Sequence, residues 1–138
     1  MRAVWSLVVV SLAVVYGQNI DNVVILPPAR TPGIVQASSK CIEELNLEKD
    51  ILQKFLALEL GDSESTRKYL YCLGTGSGYI ANDGSIIKNE VLEVVGNHRD
   101  RVDGVIDECH KLKYNDKYEA VFRNVMCFYE KSKLQFKV

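Results

Sequence analysis

The sequence predicts an all-α domain of six short helices, and three observations predict it. Apolar residues recur at helical spacing from Pro32 to Lys131, and no two-residue alternation appears before the end of the chain. Proline, glycine and capping residues cut that span into short pieces. Four cysteines, Cys41, Cys72, Cys109 and Cys127, form an even set. In a short exported chain that implies two disulfides, with three pairings open.

The chain begins "MRAVWSLVVVSLAVVYGQ": one early charge, Arg2, then an apolar run from Ala3 to Val15. The run is too short for a comfortable membrane span, and small residues follow it. Residues 1–17 therefore read as a secretory signal, and residues 18–138 as a single domain of roughly 120 residues with one core. Removing Arg2 leaves 16 basic against 18 acidic residues, a net charge of −2. Such a balance lacks the basic stripe that a nucleic-acid surface needs.

"LPPARTP" is a rigid lead-in, with Thr31 as N-cap and Pro32 opening the first helix, which runs to Leu45. The second is expected over 47–60, capped by Asn46 and stopped by Gly61, with Ile51, Leu52, Phe55, Leu56 and Leu58 inward. The third follows Ser63 and ends at Gly74. The fourth starts near Asp83, capped by Asn82 and Asp83, and stops at Gly96. The fifth spans about 99–112 and the sixth about 117–131. In the tail "KLQFKV", Leu134, Phe136 and Val138 share one side of an extended segment, placed to dock over something apolar.

The stretch "YCLGTGSGYIANDGS" tests the catalytic and metal readings. Gly74 and Gly76 are followed by Tyr79 where a dinucleotide fingerprint needs its third glycine, and no P-loop lysine follows. With Gly84 as the turn glycine of a calcium loop, Tyr79 and Ala81 occupy positions one and three and supply no side-chain carboxylate or amide. The cysteines lack zinc spacing, with only His98 and His110 to help. Cys109-His110 is similar to the surroundings of a phospholipase A2 histidine, but Lys111 stands where the aspartate belongs. The stretch reads as a connector, and the chain as a non-enzymatic protein without metal or cofactor.

The cysteine frame resembles that of the insect odorant-binding proteins (pheromone and general odorant-binding proteins). In that family six cysteines lie on six helices, the second and third four positions apart and the fifth and sixth nine apart. Cys41, Cys72, Cys109 and Cys127 are similar to the first, third, fourth and sixth. The second would fall on Lys68 and the fifth on Tyr118, which is the pattern of the four-cysteine, Minus-C subgroup. The resemblance implies pairing Cys41 with Cys72 and Cys109 with Cys127, and six helices closed around an internal apolar cavity. It implies a secreted, extracellular carrier of small hydrophobic molecules (odorants, pheromones or similar volatiles) through aqueous lymph.

Wide apolar faces on short helices also favour a cavity over a simple bundle. Phe55, Leu73, Ile87, Val91 and Val95 are candidates for its lining, with Phe122, Val125 and Phe136. Tyr79, Tyr118 or Tyr129 would offer a hydroxyl to orient the ligand. An olfactory receptor is the candidate macromolecular partner, with the carrier a monomer or weak homodimer and no stable membrane insertion. The same fold serving haemolymph, saliva, venom or reproductive secretion is the alternative, and tissue expression separates the two. The readings from other classes are a small hydrolase, tested by turnover, and a structural or antimicrobial protein without a cavity.

Trp5 is the only tryptophan and lies within the expected signal. Protein secreted from cultured cells should begin near Gln18 by N-terminal sequencing and emit with tyrosine fluorescence alone. A tryptophan band would show that the segment is retained.

Overall fold

A computed structural model describes residues 22–138, so the expected signal lies outside the described residues. The elements run β1 (Val23–Ile25), α1 (Thr31–Leu45), α2 (Ile51–Leu56), α3 (Glu64–Ser77), α4 (Lys88–Val94), α5 (Arg99–Cys109), α6 (Lys117–Ser132) and β2 (Gln135–Lys137). A 3₁₀ turn, Gly96–His98, joins α4 to α5. The all-α expectation holds, with two short strands added.

In α1, proline near the start and the spacing of Ile34, Ser38 and Cys41 set the buried face. Arg30 rather than Thr31 is its N-cap residue. Asn46, expected to cap the second helix, instead ends the first. It adopts φ 55°, and Leu47 N–H returns to the Ile42 carbonyl at 3.0 Å. The chain spends the next residues on turns, so α2 shrinks to six residues. Ser63 caps α3, its Oγ accepting from Thr66 N–H at 3.1 Å. Asp116 does the same for Glu119 N–H at the start of α6.

Helix α3 packs against both α1 and α6; α5 packs on α6, and α4 on α5. Between α1 and α3 the buried hydroxyls of Ser38 and Tyr69 share a 2.8 Å hydrogen bond. Cys41–Cys72 fastens the same two helices and Cys109–Cys127 fastens α5 to α6, the pairing that the family resemblance implied. In the chain-entropy model each bridge contributes about 3–4 kcal/mol.

The third helix passes through Gly74 and ends at Gly78, whose φ is 88°. Past it the chain doubles back. The Gly74 carbonyl accepts the N–H groups of Gly78, Tyr79 and Ile80 at 3.1, 2.9 and 3.1 Å. Ile80 then pairs with Ile86 in an isolated antiparallel bridge. Asp83 Oδ1 accepts from Ser85 N–H and Oγ, so it shapes this turn instead of capping a helix. That use of 80–87 explains why α4 starts at Lys88 and not near Asp83.

The tail docks as a strand, pairing in parallel with β1 through Val24 and Phe136. Leu134 and Phe136 are buried, while Val138 is exposed. Strand β1, only three residues long, is too short to show alternation in the sequence.

Lys68 on α3 and Tyr118 on α6 border one polar surface groove. Replacing both with cysteine should close a third bridge across the α3–α6 interface. The chain-entropy model gives about 4 kcal/mol for such a loop, an upper figure for an engineered bond. A rise in melting temperature that vanishes on reduction is expected. Two free thiols after oxidation would show the positions too far apart.

Candidate functional site

An apolar cavity of about 140 Å³ lies among the helices. Leu52, Phe55 and Leu56 from α2 and Leu70, Leu73 and Gly74 from α3 supply two sides. The turn after α3 adds Tyr79, Ile80 and Ile86, and α4 adds Val91 and Val94. Val125, Phe128 and Tyr129 of α6 and Phe136 of β2 complete the wall with Leu26 and Ile34.

The aromatic side is a connected group. The Phe136 ring lies 6.1 Å from Phe128 and 5.9 Å from Tyr129, and Tyr129 meets Phe55 edge-on at 5.9 Å. Each such contact adds about 0.5–1.5 kcal/mol beyond area burial. The tail strand thus builds part of the cavity wall.

Of the residues expected from sequence, the structure brings Phe55, Leu73, Tyr79, Val91, Val125, Tyr129 and Phe136 together here. Four lie elsewhere. Ile87 and Val95 are each one position beyond the cavity-lining Ile86 and Val94, and they are the N-cap and C-cap residues that flank α4. Tyr118 packs edge-on against Tyr71 at 5.3 Å, with Lys117 Nζ 4.7 Å from the Tyr71 ring. Phe122 is buried between α6 and α3, with the Arg67 guanidinium 5.3 Å from its ring. Phe128 was missed, although its spacing from Val125 on one helical face was the available signal.

The polar lining consists of Ser77, Tyr79 and Tyr129. Ser77 Oγ donates back to the Leu73 carbonyl at 2.7 Å. The Tyr79 hydroxyl is buried without a hydrogen-bond partner. Arg30 sits 5.7 Å from the Tyr79 ring, but its guanidinium donates to Glu90, at 2.8 Å, and to Glu93. Burial raises the Tyr79 phenol above its ordinary range, opposed by Arg30, and burial alone raises Tyr129. Both stay protonated donors at neutral pH.

The cavity wall leans on His110, whose Nε2 accepts the Ile86 N–H at 3.1 Å. Burial holds the ring below the ordinary histidine value, and Lys113 and Lys88 act the same way against Asp107 and Asp83. Among the described residues no group of His, Cys, Asp and Glu is arranged to hold a metal, and no helix is long and apolar enough to cross a membrane.

The profile of the PBP/GOBP family matches residues 27–131. No curated protein sequence matches the chain. Solved structures do. A Locusta migratoria odorant-binding protein, lmigOBP1, superposes with a TM-score of 0.61 at 17% identity, covering 77% of this chain and 84% of that one. Odorant Binding Protein 7 of Anopheles gambiae, solved with an azo compound, gives 0.59 at 20% identity over 75% and 86%. The fatty acid binding protein OBP56a from the oral disk of the blowfly Phormia regina gives 0.62 at 19% identity over 78% and 95%.

A protonated His110 cannot accept from Ile86. Its folded value is depressed, so the stability this contact contributes is complete above the ordinary value near 6.5 and is lost as pH falls through the folded value. Melting temperature should therefore drop on acidification below about pH 6.5. His110→Gln, whose carbonyl accepts without titrating, should flatten that limb. An unchanged slope in the variant would assign the acid sensitivity elsewhere.

Proposed function

The chain belongs to the PBP/GOBP family, and from that premise we propose that it is a secreted carrier of small hydrophobic ligands. Its four cysteines in two disulfides fit the Minus-C subgroup. The family and its structural neighbours are carriers rather than enzymes. The observation that carries the reading is the cavity itself, a nearly all-apolar space built by five helices, a turn and the tail strand. A ligand there is held by the surface that it removes from water. Burying roughly 250 Å² is worth about 6 kcal/mol, and one hydrogen bond about 1 more. The sum corresponds to a Kd on the order of 10 μM, suited to reversible carriage.

The residues expected from sequence divide accordingly: those at the cavity are proposed ligand contacts, and Ile87, Val95, Tyr118 and Phe122 are proposed to support it. Odorants or pheromones in olfactory lymph, with a receptor as the final partner, are the leading setting. The blowfly neighbour from an oral disk favours a second setting, in which the same cavity serves a non-olfactory secretion.

A small environment-sensitive fluorescent probe should brighten in the protein and be displaced by short apolar volatiles. Val125→Phe puts a ring into the cavity. It should cost about 1–3 kcal/mol of stability and weaken probe binding at least tenfold. Wild-type protein that binds no probe, or a folded variant that binds as before, would remove the cavity from consideration.

A further inference from the structure

The size, charge and unused donor of the cavity narrow the cargo, an inference that rests on the carrier reading above. Size comes first. An engineered apolar cavity of about 150 Å³ accepts benzene, and this one measures about 140 Å³. It has room for one ring or a chain of about six to eight carbons, and a long acyl chain would need much more.

Charge comes next. No Lys, Arg, His, Asp or Glu lines the cavity. The guanidinium beside it, Arg30, is engaged by two carboxylates, Glu90 and Glu93, so that cluster carries a net −1. A carboxylate ligand would lose its hydration and meet no free cation. The donor completes the case: Tyr79 lines the cavity, and its hydroxyl is buried with no hydrogen-bond partner among the described residues. A buried donor left unmade is unfavourable, and a ligand oxygen in reach would satisfy it.

We infer that the cargo is a compact neutral molecule of about six to eight carbons whose single oxygen acceptor takes a hydrogen bond from Tyr79. Ketones, aldehydes and short esters meet this description. Fatty acids and long-chain pheromones do not. Ser77 Oγ, already donating to Leu73, keeps lone pairs free for a ligand hydroxyl, so a short alcohol can also be held.

The test titrates the mature chain at neutral pH with 2-octanone, ethylbenzene, octanoate and hexadecanoate, read by probe displacement. 2-Octanone and ethylbenzene should bind, octanoate at least tenfold more weakly than 2-octanone, and hexadecanoate not at all. Tyr79→Phe should lower the ratio of 2-octanone to ethylbenzene affinity about fivefold. The carbonyl stretch of 2-octanone bound to the wild type should lie below its frequency in alkane, a readout that needs no variant. If neither 2-octanone nor ethylbenzene binds, the carrier reading itself fails. If they bind but octanoate or hexadecanoate binds as tightly, or the carbonyl band is unshifted and the ratio unchanged, the carrier reading stands and the neutral-acceptor inference falls.

Discussion

The fold depends on one close approach, that of Ile80 to the backbone of Gly74. A Cβ on residue 74 would lie 2.3 Å from Ile80 Cγ1, nearer than two carbon atoms can pack. Only glycine lets the chain turn back across the end of α3. Everything after that turn takes its place from it. Ile80 and Ile86 pair, Gly84 settles against α6 with its carbonyl accepting from Asn124 Nδ2 at 3.2 Å, and α4 starts where the pairing ends. Gly84 has its own constraint: φ is 89° and a Cβ would meet the Lys117 carbonyl at 2.5 Å. The glycine-rich stretch is thus a device for close packing.

Two covalent staples fix α1 to α3 and α5 to α6, and between the pairs the α3–α6 interface relies on packing. Phe122 beneath Arg67 and the Tyr71–Tyr118 contact hold it together, with Arg67 paired to Glu119 at 3.8 Å on the rim. Such exposed pairs contribute little, so burial of aromatic surface must dominate. The cavity spans this non-covalent seam, with Leu73 on one side and Val125 on the other.

Much of this was legible in the sequence because helical period and cysteine spacing are local or nearly local signals. Ser63 caps the helix that it was read to precede, α6 begins at Lys117 as expected, and Cys41, Cys72, Cys109 and Cys127 pair as the family frame implied. What was not legible depends on contacts distant in sequence. Nothing near Asn46 says that its left-handed backbone closes one helix instead of opening another. Nothing near Asp83 says that Ile80 and Ile86 will pair, a pairing that brings Ile86 of the turn to the cavity beside the expected Val91. Neighbouring helical positions differ by about 100°, so Val94 lines the cavity and Val95 does not.

The strand pair bears on how fast the molecule can fold. Val24 and Phe136 stand almost at opposite ends of the described chain, yet they are neighbours in the finished fold. Their pairing closes a loop that contains every described helix, the kind of non-local contact that costs entropy before it rewards and slows folding. Until the strands meet, Phe136 lacks its contacts with Phe128 and Tyr129, and the cavity lacks one wall.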